Sequence, residues 1–269
     1  MNLHFTILSF LLFILLGYPC HGENAERIFY DAVRAEASGD LMLAITIYEQ
    51  LSQNQHSANL HSNLANLYFK VEDYGRAVLH FRKSLLIDPD NREATSNLAF
   101  ALEMSGVSND TIHEENPAFS ATALSIWALL SSAVLWGGLL FFIRLSKSNL
   151  LSSKSISFCF LWLGLLSFLG WGWMKSRNNS EFLKREIIVL DNQSAKKNSS
   201  IPLRRFAGEG SDHNTLIKPG TSLFVDLDEY GNHRLHTGPD GSAWYLVRSH
   251  NGSDKGWLKS NEFAKLLSP

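Results

Sequence analysis

Apolar positions follow three different patterns along the chain. From about residue 25 to residue 105 they recur at helical spacing in short segments. These are broken by Ser38-Gly39-Asp40, Glu72-Asp73 and Asp88-Pro89-Asp90-Asn91, and the spacing predicts five helices at about 25–37, 41–53, 58–71, 74–87 and 92–105. Two uninterrupted runs follow, Phe119–Ile143 and Ile156–Met174, of 25 and 19 residues without a charge. As helices they would measure about 38 and 28 Å, enough to match a bilayer core of about 30 Å. Beyond Met174 the pattern shortens to strand-like runs at Glu186–Leu190, Ile201–Phe206, Thr215–Ile217, Ser222–Leu227, Ala243–Arg248 and Lys255–Leu258. Turn signals separate them: Lys218-Pro219-Gly220, Tyr230-Gly231-Asn232, Gly238-Pro239-Asp240-Gly241 and Asn251-Gly252.

The first residues add a fourth apolar stretch, Phe5 to Gly17, ended by Pro19. Its length suits the core of a secretion signal better than a span, and Cys20-His21-Gly22 offers small residues for cleavage after Gly22. A lipoprotein reading through Cys20 fits less well, because Gly17-Tyr18-Pro19 lacks the usual leucine and small residues. The two charge-free runs then read as a transmembrane hairpin, with Trp127, Trp136, Trp162, Trp171 and Trp173 as aromatic anchors. The loop 144–154 holds Arg144, Lys147 and Lys154 and no acid, so it is expected in the cytoplasm. Lys175, Arg177, Lys184 and Arg185 after the second run pull the other way. The exported N-terminus and the basic loop outweigh them, placing both soluble parts outside.

Self-similarity organises the N-terminal part. Ser62-Asn63-Leu64-Ala65 recurs as Ser96-Asn97-Leu98-Ala99 at an offset of 34 residues. Around the first copy stand Tyr68, Asp73-Tyr74, Ala77, Phe81 and Asp88-Pro89. The pattern resembles the tetratricopeptide repeat, in which small residues allow two helices to cross and an aromatic wedges them apart. A weaker copy precedes it through Ala32, Gly39-Asp40, Ala44 and Tyr48. The helix from Arg92 to Ser105 is a half repeat, expected to cap the stack. The resemblance implies a concave groove lined by the first helix of each repeat, and the register puts Asn63, Asn66 and Asn97 on it. An asparagine amide both donates to and accepts from a peptide backbone, which makes these three the candidate ligand-binding residues. The competing account is that they merely solvate an exposed face.

The C-terminal strands and turns suggest a small all-β barrel. Pro202-Leu203-Arg204, Lys218-Pro219-Gly220-Thr221, Trp244-Tyr245, Asn251-Gly252 and Gly256-Trp257-Leu258, in that order, resemble a bacterial SH3-type domain over about residues 186–267. The segment 226–242 is longer and more polar than that pattern. Trp244 and Trp257 are the first candidates for its core, since large aromatics dominate burial in small barrels.

Charge changes the picture only by its distribution. The total is −2, yet residues 23–118 carry 15 acids and 7 bases, and residues 175–269 carry 11 acids and 14 bases. Neither end is basic enough to point to nucleic acid. The opposite signs suggest loose, salt-screened association of the two ends, or alternatively that the cations after Met174 face lipid headgroups. The two cysteines, Cys20 and Cys159, cannot pair in a processed chain, so no disulfide framework is expected. His233 and His236 lack a third metal ligand. Asp226, Asp228 and Gly231 echo a calcium loop, but Tyr230 occupies a ligand position and Thr237 stands where the bidentate glutamate is needed. Phosphate-binding loops, nucleophile elbows and zinc-protease motifs are absent from the sequence, so neither a cofactor nor a catalytic residue is assigned.

The expected architecture is therefore a multidomain membrane protein. It has a signal peptide (1–22), an all-α repeat domain (23–106), a linker (107–118), two transmembrane helices (119–143 and 156–174) around a cytoplasmic loop (144–154), a second linker (175–185) and an SH3-like barrel (186–269). This order resembles the BatE-like proteins of the Bacteroides aerotolerance operon. The resemblance implies a non-catalytic scaffold in the inner (cytoplasmic) membrane of a bacterium, both soluble domains periplasmic. Its partners would be other Bat membrane proteins, some with von Willebrand A domains, in stress tolerance. The alternative is a peptidoglycan-binding anchor that recruits an envelope enzyme through its repeats.

Overall fold

The structure is a computed structural model, and it describes residues 22–55, 57–108, 123–145, 153–191, 199–238 and 241–267. The proposed leader and most of the loop 144–154 lie outside the described residues. Five helices open the chain: α1 (Gly22–Ala37), α2 (Leu41–Asn54), α3 (Ala58–Lys70), α4 (Tyr74–Ile87) and α5 (Arg92–Ser105). Each falls within a few residues of its expected bounds, because the punctuation is chemical. Asp40, Asp73 and Asn91 cap α2, α4 and α5, accepting from Leu43 N at 3.1 Å, Arg76 N at 3.0 Å and Ala94 N at 2.9 Å. The turns before α2 and α4 and the end of α5 each use a left-handed residue, Gly39, Glu72 and Gly106.

Packing follows the repeat. Ala44, Ala65, Ala77 and Ala101 are fully buried where helices cross, and Tyr48 and Phe81 are the buried wedges between them. The 34-residue echo fails in one place. Ala65 is fully buried, but its counterpart Ala99 is exposed, with Phe100 and Met104 beside it. No later helix among the described residues covers that flank, so α5 ends the repeats on a mixed exposed face, Arg92, Glu93, Thr95, Ser96 and Glu103 beside Ala99, Phe100 and Met104.

Two long apolar helices come next, α6 (Leu124–Leu145) and α7 (Ser153–Arg185). They pack against each other through Gly138 beneath Trp162 and Gly172 beneath Trp127, where a Cβ would strike the indoles. Trp162 Nε1 donates to Val134 O at 2.9 Å, and Phe141 meets Phe158 at 4.5 Å between ring centroids. The rest of their surface is bare: Leu129, Trp136, Leu140, Phe160, Leu161 and Trp171 are all exposed. Both are long and apolar enough to cross a membrane. Residues 175–185, expected as a linker, are helical and form the last turns of α7, which runs straight into the first strand.

The C-terminal part is an antiparallel sheet of β1 (Glu186–Val189), β2 (Ile201–Arg204), β3 (His213–Ile217), β4 (Ser222–Val225), β5 (Leu235–Thr237), β6 (Ala243–Arg248), β7 (Lys255–Lys259) and β8 (Phe263–Lys265). Its order is β3-β2-β7-β6-β4-β1-β8, with β5 pairing β6. Ile187, Val189, Leu203, Leu223, Val225, Val247 and Leu258 fill its core. Trp244 is buried as expected, though under Arg204 and Lys259 rather than in that apolar cluster, with Arg204 Cζ 4.9 Å from its ring. Trp257 is only half-buried, lying edge-on to His236.

The two ends are not loosely associated. β1 alternates strictly: Ile187 and Val189 enter the sheet core, while Ile188 faces α4 and joins the helical core with Leu183, Leu190 and Leu266. Gly75 on α4 lets the helix touch the strand, since a Cβ there would lie 2.9 Å from Val189 O. Arg82 of α4 and Glu186 of β1 form a buried ion pair at 3.0 Å, and Lys218 Nζ donates to Gly106 O at 2.8 Å. A contact built from apolar side chains and a desolvated pair is not the salt-screened encounter that net charge suggested.

Candidate functional site

The repeats leave the face of α1, α3 and α5 open, and the three asparagines lie along it. Leu60, Leu64 and Leu67 turn the apolar stripe of α3 inward, which leaves Asn63 and Asn66 on the adjoining flank, half-buried. Asn97 holds the matching place on α5. Its Nδ2 donates to Asn66 Oδ1 at 3.2 Å, linking two first helices across the repeat boundary. Asn63 bonds instead to the phenol of Tyr48 on α2. Burial, with the Glu36 carboxylate nearby, raises the Tyr48 pKa, and the Asn63 bond opposes that rise. Tyr48 is therefore neutral and supplies a fixed hydroxyl.

In this arrangement the Asn66–Asn97 pair spends one donor and one acceptor on itself. It leaves the Asn66 amide N–H groups and the Asn97 carbonyl without a use in that bond, one donating and one accepting function side by side. That is the complement of an extended peptide backbone. Asn63 is turned toward α2 and is less free to take part. Lys70 and Glu36, at equivalent positions 34 residues apart, pair at 2.7 Å and stitch α1 to α3 along the same face.

Between α3 and α4 lies a polar core that the sequence did not signal. His61 Nδ1 and His80 Nδ1 are 3.2 Å apart and buried, and Tyr68 stacks on His80 at 5.6 Å. The Tyr68 hydroxyl donates to Glu49, and Arg76 covers its ring at 5.7 Å while pairing with Asp73. Burial and the Glu49 hydrogen bond raise the Tyr68 pKa. Burial lowers the His80 pKa well below the ordinary histidine value, helped by His61. Tyr68 and His80 are thus held neutral inside this cluster, and the contacts fix the spacing of α3 and α4 rather than offer an acid–base pair to a substrate.

The other candidates separate. His233 lies against Tyr245 and His236 against Trp257, so the two do not converge. Asp226 pairs with Arg248 at 3.0 Å and Lys255 at 2.9 Å, and Asp228 accepts from the backbone of its own loop at Tyr230 and Asn232. Those carboxylates are already used. Among the described residues no cluster of three metal-ligating side chains forms.

Residues 58–91 match the family model of the tetratricopeptide repeat, the segment that contains α3 and α4. No curated protein matches the chain. Tetratricopeptide repeats are non-catalytic units that generally mediate protein–protein interaction.

Proposed function

We propose that this protein is a non-catalytic adaptor anchored in a membrane by α6 and α7, which holds an extended segment of a partner protein in its repeat groove. The observation that carries the reading is the Asn66–Asn97 pair, a donor and an acceptor set side by side on the open face of a matched repeat. Membrane anchoring is supported by the bare apolar surface of the hairpin. In water, large side chains such as Leu129, Phe160 and Leu161 would each cost about 1.5–3 kcal/mol of lost burial. The joint core of α4 and β1 favours both soluble parts on one side of the bilayer, since a buried contact cannot form across it. With the exported leader expected from the sequence, that side is the periplasm, and the membrane is the inner one of a bacterial envelope.

The order of repeats, hairpin and β-sheet, with the strand and turn sequence of an SH3-type domain, supports kinship with the BatE-like proteins. It supports partners among Bat-type envelope proteins too. Replacing Asn66 and Asn97 with alanine in the full chain tests the groove. Each lost backbone hydrogen bond is worth about 1 kcal/mol, so partner capture in native-membrane crosslinking should fall roughly tenfold or more while circular dichroism keeps the helical signal. Unchanged capture would return both residues to solvated surface. Retention of the protein on purified sacculi, unaffected by the double variant, would favour the wall-binding alternative.

A further inference from the structure

The first helix of a repeat keeps one face for the helix that follows it. On α3 that face is Ala58, Ser62, Ala65 and Phe69, at the spacing of a helix seam, and α4 covers it. Ser84 Oγ donates to Ala58 O at 2.9 Å and lies 2.8 Å from Ser62 Oγ, while Phe69 meets Tyr74 at 5.4 Å between ring centroids. The start of α3 thus touches the end of α4, and its end touches the start of α4, so the two run antiparallel. At an offset of 34 residues the same face of α5 is Arg92, Ser96, Ala99 and Glu103. All four are exposed, with Thr95 and Phe100 to either side. Ala32 and Ala65, the earlier residues at the place of Ala99, are fully buried. What the following helix covers on the first two repeats is bare on the third.

That face is complementary to itself. With two copies of α5 antiparallel about a point between Asn97 and Leu98, Arg92 comes opposite Glu103 of the second copy at both ends. Ser96 then meets Ala99 at the centre, where short side chains let the helices approach, and Thr95 meets Phe100 beside them. Neither Arg92 nor Glu103 has an ion-pair partner among the described residues. Each also stands at the wrong end of its own helix. Arg92 is in the first turn, where the dipole is positive, and Glu103 in the last, where it is negative and α5 has no base. In the antiparallel pair each lies beside the opposite end of the neighbouring helix, so the mismatch becomes an attraction. Asn97 lies about 100° round the helix from Ser96, which leaves the Asn66–Asn97 pair clear of the seam.

We propose that α5 is a dimerisation helix: a second copy of this chain lays its own α5 antiparallel on this face, in the place that α4 holds on α3. The same patch serves both copies, so the contact closes on itself and ends the stack as a dimer rather than a filament. The inference stands apart from the partner groove and from the membrane reading, since it uses neither the asparagines nor the hairpin.

Disulfide trapping of the full chain in intact cells tests it, with Cys20 and Cys159 replaced by serine. Ala99→Cys should give a disulfide-linked dimer, of twice the chain's mass, on mild oxidation. Tyr30→Cys, also exposed but on α1, should stay monomeric. Added to Ala99→Cys, Arg92→Glu and Glu103→Arg each set like charges together at both ends of the seam, and each should cut the dimer yield roughly fivefold or more. Combined in one chain they rebuild both pairs in reverse and should restore most of the yield. They fall short of the wild type because each charge then faces the unfavourable end of the neighbouring helix. All the substituted α5 positions are exposed, so circular dichroism should keep its helical signal throughout. Recovery by the combined charge swap is what a twofold pairing of α5 requires. No dimer at Ala99→Cys, an equal dimer at Tyr30→Cys, or a combined variant no better than the single ones would overturn the proposal. So would a crosslink to a chain of another mass, which would assign the face to a different protein.

Discussion

The guanidinium of Arg82 and the carboxylate of Glu186, 104 positions apart in the chain, meet at 3.0 Å in a fully desolvated contact. Glu186 is completely buried, and its second partner is the Ser222 hydroxyl on the neighbouring strand. The pair joins helix, sheet and, through the adjoining Arg185, the end of the apolar hairpin. Removing one member strands the other in the interior, at a cost of about 3–5 kcal/mol, whereas replacing both with apolar groups of similar volume is often nearly neutral. Arg82→Met and Glu186→Gln should therefore each lower the melting temperature sharply, and Arg82→Met with Glu186→Leu should recover most of the loss. Additive losses in the double variant would show that the pair is not coupled.

Gly75 makes the same contact possible sterically. An added Cβ would meet Val189 O at 2.9 Å and Leu190 Cα at 3.0 Å, both backbone atoms that cannot swing aside. Gly75→Ala should cost about 1–3 kcal/mol by forcing α4 off β1, against the gain in helix propensity that alanine normally brings. Proteolysis between repeats and sheet should accelerate in this variant. Thermal stability equal to wild type would mean that the helix and strand do not touch.

Much of this fold was legible in the sequence, and the exceptions have physical causes. The 34-residue echo located the helices because capping and crossing residues are local chemistry. Trp244 was recognisable as buried from its size. The joint core was hidden, since it depends on residues brought together over long separations. α4 gave no sign of it, being buried on nearly every side although its sequence carries Arg76, His80, Arg82, Lys83 and Ser84. The one trace was the continuous apolar run at Glu186–Leu190, the sign of a strand covered on both faces. β5 escaped because Leu-His-Thr is three exposed residues with no alternation, and β8 because it is only three residues long. The register put all three candidate asparagines on first helices, but nothing local distinguished the Asn66–Asn97 pair from Asn63, whose partner lies on another helix.

Glu72 is the one non-glycine residue with positive φ among those described, at 62°, in the turn where the previous repeat uses Gly39 at 83°. A side chain in the left-handed region costs about 1–2 kcal/mol relative to glycine. Glu72→Gly should thus raise the stability of the repeat domain by about 1 kcal/mol, part of the gain being offset by the larger chain entropy of unfolded glycine. A drop in melting temperature would mean that the glutamate side chain contributes more than its backbone strain costs.

His80 gives stability a defined pH dependence. Its pKa in the folded chain lies well below the ordinary 6.5, chiefly through burial, while the unfolded chain titrates near that value. Above pH 6.5 both states are neutral at this group and it contributes no slope. As pH falls below 6.5 the unfolded state takes up a proton that the folded state refuses, so stability declines by up to about 1.4 kcal/mol per pH unit. His80→Phe, which keeps the stack on Tyr68, should flatten the melting-temperature profile between pH 6.5 and 5. An unchanged slope would assign the acid sensitivity elsewhere.

The orientation of the hairpin is the prediction with the widest reach. A contact as dry as Arg82–Glu186 requires the repeats and the sheet on the same side of the bilayer, which admits two arrangements: both outside or both in the cytoplasm. The basic loop 144–154 and the leader-like N-terminus favour the first. Lys175, Arg177, Lys184 and Arg185 favour the second only if their charge is otherwise unused. Two of them lie over indoles of the same helix, one pairs with Glu181 and one bonds to Val225 O. Reporter fusions at Asn109, Asn149 and Ser268 should accordingly read outside, inside, outside. The reverse pattern would keep the joint core and overturn the periplasmic assignment. Opposite sides for Asn109 and Ser268 would break the joint core itself, because no arrangement of one chain can then bring α4 to β1.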